Sequence, residues 1–203
     1  HQLFVDEGDA FNEILHNKSI NKIKSKGIFK SVTSEVIKSD IPDKKIINIV
    51  VEEKATGEIS AGAGVGTDGG SLAFSLKENN FLGRGTRLNS SISMTDNSLK
   101  GLVSATIPNF NYSDNSVTMS AQSSTDDNLT EFGYKNSKTG FSLGTSFQQY
   151  EDYYFSPSFS FFMEDLTTTT NASKNLKKQE GNYNDLFFNH TLAYDVRDKG
   201  YQP

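Results

Sequence analysis

The feature that most constrains this chain is a strict alternation of apolar and small polar residues, which begins near Glu58 and continues almost to the C-terminus. Successive side chains of a β-strand point to opposite faces of the sheet, so each alternating segment has one apolar and one polar face. Repeated segments of about ten residues are typical of a transmembrane β-barrel. The alternation predicts about eight strands, at 58–66, 70–79, 85–95, 98–108, 114–124, 138–148, 153–164 and 184–196.

The composition favours a barrel over a soluble domain. Only 34% of the 203 residues are apolar, which would leave a soluble domain of this size with a thin core. A barrel needs an apolar surface only on its outward face, because its interior is polar. The net charge of -5 argues against a phosphate-binding surface, so we expect no nucleic-acid partner. The absence of cysteine excludes disulfides and thiol chemistry.

Two further absences concern the membrane. The sequence contains no stretch of about 18 apolar residues, so it predicts no membrane-spanning helix. The first ten residues, HQLFVDEGDA, have neither the basic start nor the apolar run of a secretory signal. Because an outer-membrane protein needs such a signal, we expect the chain to begin partway into its gene product.

Residues 1–53 follow mixed α+β rules. Asn12 is predicted to cap a helix that runs to about Lys26, with Gly27 as its stop. Strands are predicted at 29–38 and 46–52, joined by a turn at 41–44. The helix is expected to bury a stripe formed by Phe11, Leu15, Ser19 and Ile23 and broadened by Ile14 and Ile20.

The alternating part is interrupted at recognisable places. Pro157 lacks a ladder donor, so it predicts an edge, a bulge or local fraying in its strand. Segments 125–137 and 165–183 are polar and are predicted to be surface loops. If residues 1–53 are periplasmic, these two loops, with 67–69 and 96–97, lie outside the membrane, and the turns at 80–84, 109–113 and 149–152 lie inside.

The residues do not assemble a catalytic or metal site. His1, His16 and His190 are far apart and show no ligand spacing. The acidic pairs at 126–127 and 151–152 are interpreted as solvated loop charges. The sequence GTDGG at 66–70 precedes no helix, so it predicts a hairpin turn instead of a phosphate-binding loop. We therefore expect no enzyme activity, no cofactor and no metal.

Several motifs together resemble one family. The sequence VEEKATG at 51–57, followed by GAGVGT at 62–67, is similar to the junction at which a final POTRA domain enters the barrel of BamA-type outer-membrane assembly factors. NNFLGRG at 79–85 resembles the family's first periplasmic turn. YDVRD at 194–198 with YQP at 201–203 resembles the turn after its eighth strand. GDAFN at 8–12 and KGIF at 26–29 resemble the second helix of a POTRA unit and its exit.

The resemblance implies an internal fragment of a mostly β protein. Residues 1–53 correspond to the C-terminal part of the last POTRA domain, 54–57 to a linker, and 58–203 to the N-terminal half of the barrel. The family's inward loop with an arginine and its terminal strand ending in an aromatic residue are absent from this sequence. The implied location is the bacterial outer membrane, with residues 1–53 in the periplasm.

The resemblance also implies a function, the insertion of β-barrel precursors through a barrel seam by β-augmentation. The implied partners are unfolded outer-membrane protein precursors, outer-membrane lipids and accessory assembly lipoproteins. The seam lies beside the first barrel strand, whose residues are Ile59, Ser60, Ala61, Gly62, Ala63, Gly64, Val65 and Gly66. A second edge for client strands is implied in the POTRA part, at Phe29, Lys30, Ser31, Val32 and Thr33.

Three other functions stay open. A related POTRA-barrel transporter, active in protein secretion or autotransporter assembly, shares the same architecture and differs in the number of POTRA domains. A diffusion porin would have no POTRA-like part. A secreted β-sandwich adhesin would turn its aromatic faces inward and would be soluble without detergent.

Overall fold

The computed structural model of the chain describes residues 3–42, 44–66 and 69–196. The chain divides into two compact units, with the boundary between Thr56 and Gly57. The first unit contains helix α1 (Glu13–Ser25) and strands β1 (Phe29–Lys38) and β2 (Lys45–Glu53). The second contains β3 (Gly57–Gly66), β4 (Gly69–Phe81), β5 (Thr86–Thr95), β6 (Ser98–Ile107), β7 (Ser116–Asn128), β8 (Tyr134–Tyr150), β9 (Tyr153–Thr168), the short helix α2 (Lys174–Lys178) and β10 (Gly181–Tyr194).

Helix α1 begins and ends where its capping residues predict. The Asn12 side chain accepts a hydrogen bond from the Leu15 N–H at 3.1 Å, which satisfies one of the unpaired donors of the first turn. Gly27 follows the helix with a φ of +67°, a left-handed conformation that glycine adopts without a steric penalty. The predicted helix is therefore confirmed.

The buried face of α1 differs from the predicted stripe. His16, Ser19 and Ile20 are buried, whereas Ile14 is 68% exposed, so its place in the stripe was wrong. The polar members of this face are hydrogen-bonded, as buried polar groups must be. Ser19 Oγ donates to the Leu15 carbonyl at 2.9 Å and accepts from the Phe4 N–H at 2.8 Å, and His16 Nε2 lies 2.9 Å from Ser34 Oγ.

Strands β1 and β2 form a two-stranded antiparallel sheet. Val32 lies opposite Val51 in its register, and a β-bulge separates Phe29 from Ser31. In the turn between the strands, the Lys44 N–H donates to the Ile41 carbonyl at 3.3 Å. Asp43, predicted to lie in this turn, is outside the described residues. Both predicted strands are confirmed to within one residue.

The second unit is one eight-stranded antiparallel sheet, in which each strand pairs with its neighbour in sequence from β3 to β10. Every predicted strand of the alternating part is present. Within the part of the chain that the structure describes, the sheet is open, with β3 and β10 as its edges. Gly66 pairs with Gly69, which confirms the hairpin at 66–70; Thr67 and Asp68 are outside the described residues.

The predicted loop at 125–137 is largely strand, whereas the one at 165–183 is strand only at its two ends and holds the short helix α2 between them. β7 continues to Asn128 and β8 begins at Tyr134, while β9 continues to Thr168 and β10 begins at Gly181. The first loop prediction was wrong because polar side chains pair across β7 and β8, as when Lys135 Nζ meets Asp127 Oδ2 at 3.0 Å. Such pairs stabilise a ladder where neither face is apolar.

Among the described residues, no helix combines the length and apolarity needed to cross a membrane.

Pro157 does not produce the predicted edge or bulge. β9 lies between β8 and β10, and Pro157 pairs with His190 on the β10 side. The register towards β8 is the same before and after the proline, but the ladder has no pairs between Gly144↔Ser158 and Phe147↔Phe155, which is the predicted local fraying. The register shift of this ladder falls between Gln148 and Tyr150, next to the turn.

Three turns at one end of the sheet hold strained backbone. In the described part of the chain, the non-glycine residues with positive φ are Leu82, Asn109, Asn111, Tyr112 and Asp152. All of them lie in the β4–β5, β6–β7 and β8–β9 turns, and each such residue costs about 1 kcal/mol or more. Leu82 is 76% and Tyr112 86% exposed, so these turns hold apolar groups away from the sheet.

Candidate functional site: the free edge of the large sheet

Strand β3, the predicted client-pairing strand, lies at an edge of the eight-stranded sheet. It pairs with β4 along its whole length, from Gly57↔Glu78 to Gly66↔Gly69. In the described residues no strand pairs with its other side, and all its residues are exposed. An unpaired edge presents a row of N–H and C=O groups that can template another strand.

The two faces of β3 differ in chemistry. Ile59, Ala61 and Ala63 lie opposite Leu76, Phe74 and Leu72 on one face. The other face carries Ser60, Gly62, Gly64 and Gly66. A Cβ added at Gly62 or Gly66 would meet no atom within 4 Å, whereas one at Gly64 would lie 3.1 Å from Ser71 Oγ. Two of the three glycines on this face are therefore not required by steric crowding in the sheet. Because they have no side chain to pack, they weaken the pairing of the edge strand.

The apolar face of β3 continues across all eight strands. Ile59, Leu76, Ser90, Val103, Ala121, Phe141, Phe161 and Leu186 form one row of ladder partners. Their large apolar members are exposed except Leu76 and Phe161, which are half-buried, as expected for a surface that meets lipid instead of a protein core. We call this surface the apolar face and the opposite surface the polar face. The apolar stretches occupy 59–65, 72–76, 88–94, 99–107, 117–121, 141–147, 153–163 and 186–194.

These stretches drift steadily against the ladder. Each centre can be expressed as the β3 position that it faces when the ladder partners are followed from strand to strand. On this scale, the centre moves from position 62 for β3 to position 55 for β10. The drift is about one residue per strand, or ~3.3 Å along a strand for every ~4.8 Å across the sheet. The strands are thus tilted by roughly 35° from the normal to the apolar band, within the range of transmembrane barrels.

The polar face holds an ionic cluster that the sequence did not predict. Lys138 Nζ lies 2.9 Å from Glu164 Oε2 and 3.0 Å from Asp185 Oδ2. It also lies 5.1 Å from the Phe162 ring centroid and 5.8 Å from that of Phe187. These residues come from β8, β9 and β10, so only the ladder register brings them together. The cluster fastens these three strands on the side of the sheet far from β3.

The second predicted edge, at 29–33, lies on β1. Lys30 Nζ and Ser31 Oγ bind the two carboxylate oxygens of Glu52 on β2, at 2.8 and 3.2 Å. Val32 is buried. β1 pairs with β2 on one side, and within residues 3–42 and 44–56 no strand pairs with its other side. The geometry thus leaves this edge open without showing a ligand.

The two predicted acidic pairs lie in different kinds of structure. Asp126 and Asp127, predicted as loop charges, lie instead on β7. Asp126 pairs with Lys100 at 3.6 Å and Asp127 with Lys135 at 3.0 Å. Asp127 lies beyond the apolar stretch of its strand, and the Lys135 hydrogen bond, followed by that from the Leu129 N–H, holds the pKa of its carboxyl below the ordinary value. Asp152 lies in the β8–β9 turn as predicted, where its carbonyl accepts from the Asp195 N–H at 2.8 Å.

The histidines lie in unrelated places. His1 is outside the described residues, and His16 is buried under α1. His190 lies on the apolar face of β10, 6.3 Å from both the Phe155 and the Phe188 ring centroids. In residues 3–42, 44–66 and 69–196, no cluster of three or more His, Asp or Glu side chains could hold a metal ion.

Comparison with known proteins identifies the family. The model of the Omp85 superfamily domain matches residues 80–203, more than half of the chain. The chain belongs to the Omp85 superfamily. No curated protein matches the sequence. The Omp85 match begins after residues 1–53, so their identity as part of a POTRA domain stays a prediction.

A solved Omp85-type structure confirms the fold. The crystal structure of BamA from Haemophilus ducreyi lacking POTRA domains 1-3 matches with a TM-score of 0.74 and 20% sequence identity. The match covers 100% of this chain and 42% of that one, so the chain spans about two fifths of the solved protein. The resemblance to BamA-type proteins is confirmed at the level of family and fold.

Proposed function

We propose that the protein containing this chain folds β-barrel precursors and inserts them into the bacterial outer membrane, with β3 as the strand on which the precursor pairs. The observation that carries the proposal is that β3, within the residues that the structure describes, lies at an edge of an Omp85 sheet whose apolar face is exposed. Unpaired backbone groups are very costly in lipid, so a precursor strand gains greatly from a partner edge. Pairing through backbone hydrogen bonds places little demand on client sequence.

The width of the apolar face supports this side of the sheet as the insertion side. The apolar stretch covers 59–65 on the edge strand β3, or about 20 Å of strand, and 186–194 on the other edge strand, β10, or about 26 Å. A bilayer beside a short stretch must thin to match it. A precursor strand arriving at β3 therefore meets a thinner apolar layer than one arriving at β10.

The remaining partners follow from the same proposal. Outer-membrane lipids contact the apolar face, residues 1–53 lie in the periplasm, and accessory assembly lipoproteins act there. The β1 edge at 29–33 is a second place where an extended client can pair before insertion. No step of this function uses a catalytic group, a metal or a cofactor.

The test is client folding by the whole protein in liposomes, followed by the gel-mobility shift of a folded barrel. We expect Gly62→Val with Gly66→Val to slow client folding severalfold, because β-branched residues stiffen the edge strand and fit its open space. Gly101→Val on β6 is the matched control, since Gly101 lies in a central strand with no close side-chain neighbour. Equal rates for both variants would remove β3 from the function. Export of a soluble partner without client insertion would favour the transporter.

A further inference from the structure

The β6–β7 turn, residues 108–115, presents two aromatic side chains on a backbone that disfavours one of them. Tyr112 has a φ of +60° and is 86% exposed, and Phe110 is 49% exposed. Asn109 and Asn111 share the left-handed conformation, with φ values of +57° and +53°. Asparagine tolerates this conformation, whereas a bulky side chain such as that of tyrosine adopts it only at a steric cost.

Hydrogen bonds within the turn hold this conformation. The Phe110 N–H donates to the Asn115 carbonyl at 2.7 Å, and the Tyr112 N–H donates to the Asn109 carbonyl at 3.1 Å. The Ser113 hydroxyl donates to the Phe110 carbonyl at 2.6 Å. Packing against the sheet does not explain the position of the Tyr112 side chain, because that side chain is almost fully exposed. A strained residue that the surrounding structure holds in place points to a function of its side chain.

The turn begins where the apolar face ends. Ile107 and Val117 are the last apolar residues of their strands at this end and are ladder partners. At the strand tilt of roughly 35°, an extended connection over 108–116 would reach about 12 Å below them. The hydrogen bonds across the turn fold it to less than this depth. The headgroup layer on each side of a bilayer is about 5–8 Å thick, so the tip of the turn lies within that layer.

The β4–β5 turn provides a contrast at the same end of the sheet. Leu82 has a φ of +55° and is 76% exposed. However, β4 and β5 stay paired as far as Phe81↔Thr86, which is 81 − 76 = 5 residues beyond Leu76, where the apolar stretch of β4 ends. These residues add about 13 Å of depth. Leu82 therefore lies beyond the headgroup layer, although its backbone is strained like that of Tyr112.

We propose that the β6–β7 turn anchors the sheet in the phospholipid headgroup layer of the inner leaflet, at the end of the sheet where β3 begins. Phe110 enters the boundary with the acyl chains, and the Tyr112 hydroxyl lies among the headgroups. Tyrosine suits this position because its ring is apolar and its hydroxyl is polar. The anchor does not depend on the proposed pairing of clients with β3.

The charge of the turn specifies the kind of contact. Residues 108–115 contain neither lysine nor arginine. The acidic residue of the turn, Asp114, accepts a hydrogen bond from Asn109 Nδ2 at 3.3 Å. The turn therefore has no cation that could attract lipid phosphates. We expect its membrane contact to depend little on the proportion of anionic lipid or on salt.

The first test compares Tyr112→Gly with Leu82→Gly in the whole protein, reconstituted in vesicles of phosphatidylethanolamine and phosphatidylglycerol. Glycine relieves the left-handed strain at both positions. Leu82→Gly should therefore raise the midpoint of thermal unfolding by about 1–2 °C, whereas Tyr112→Gly should lower it because the anchor is lost. A rise in both variants would overturn the anchor.

The second test replaces the same two residues by tryptophan and uses vesicles of lipids brominated close to the headgroup. After subtraction of the wild-type signal, Tyr112→Trp should lose about half of its fluorescence and Leu82→Trp little, because only the first lies at headgroup depth. Absence of quenching in Tyr112→Trp, or equal quenching in both variants, would overturn the proposal. Shielding of Tyr112→Trp from an aqueous quencher in native membranes, without quenching by brominated lipid, would assign the turn to a protein partner and would also overturn it.

Discussion

The ammonium group of Lys138 lies 2.9 Å from the Glu164 carboxylate, directly across the β8–β9 ladder. The same Nζ also reaches Asp185 at 3.0 Å, so one cation holds two carboxylates on three strands. The Lys138 and Glu164 side chains are only 29% and 25% exposed. Removal of the cation would leave two partly buried anions close together.

We predict that Lys138→Met lowers the free energy of unfolding by about 1–2 kcal/mol, between the values for exposed and for buried ion pairs. Lys30→Met is the control, because the Lys30–Glu52 pair is 68% and 55% exposed and should contribute about 0.5 kcal/mol or less. Urea unfolding of the whole protein in detergent measures both. Equal losses for the two variants would show that the cluster adds no stability of its own.

Two glycines on the polar face should respond differently to alanine. A Cβ at Gly140 would overlap the Phe161 carbonyl oxygen and the Phe162 ring, whereas one at Gly62 meets no atom within 4 Å. We expect Gly140→Ala to destabilise the protein by roughly 1–3 kcal/mol through overpacking and Gly62→Ala to be nearly neutral. Thermal unfolding of the two variants in the same detergent compares them, and a neutral Gly140→Ala would contradict the described packing.

The assignment of the faces predicts which side chains meet lipid. The chain has no tryptophan, so a single introduced tryptophan reports its own surroundings. Phe74→Trp on the apolar face of β4 should be quenched by brominated lipids, and its sequence neighbour Ser75→Trp on the polar face should not, because adjacent strand residues face opposite sides. Equal quenching at both positions would contradict a membrane-facing apolar surface.

His190 places a polar ring within the apolar face of β10, between Phe188 and Leu192. A polar group on the lipid side of a barrel strand is destabilising near mid-depth. His190→Leu should therefore raise the free energy of unfolding by about 1–2 kcal/mol, while Asn189→Leu on the polar face should not raise it. A loss of stability in His190→Leu would indicate that the imidazole has a partner.

The Asp127–Lys135 pair predicts an acid response in the β7–β8 hairpin. Because the pKa of the folded Asp127 carboxyl is lowered, the pair stabilises the hairpin above the unfolded carboxyl pKa. That stabilisation is lost as the pH falls through the folded value, below about pH 4. Proteolysis by an acid protease between 129 and 133 should increase there in the wild type. The Asp127→Asn variant should be cleaved equally at all acidic pH values. A pH-dependent rise in the cleavage of that variant would assign the response to another group.

The sequence predicted the elements that depend on local pattern. Alternation identified all eight strands of the large sheet, and Asn12 with Gly27 located both ends of α1. Strand ends in the long hairpins were missed, because pairs such as Asp127 with Lys135 form only once the register is set. The buried face of α1 was misjudged because hydrophobicity does not reveal that Ser19 and His16 are hydrogen-bonded inside.

The candidate site was predictable in part. The alternation on β3 and its glycines are evident in the sequence, but nothing local marks β3 as an edge, and that expectation came from the family resemblance. The cluster around Lys138 could not be predicted, because Lys138, Glu164 and Asp185 are distant in sequence and meet only through two successive registers.

Because the ladder is tilted, the bilayer itself disfavours a strand that pairs in the wrong register. Ile59 and Leu186 belong to one row of ladder partners, yet Ile59 lies at one margin of the apolar band and Leu186 at the other. The row therefore crosses the whole apolar band from one margin to the other. A strand that pairs in a wrong register is displaced in membrane depth as well as along its neighbour. Its charged residues then enter hydrocarbon and its apolar residues enter water. Lipid thus penalises a pairing error that the backbone hydrogen bonds alone would tolerate.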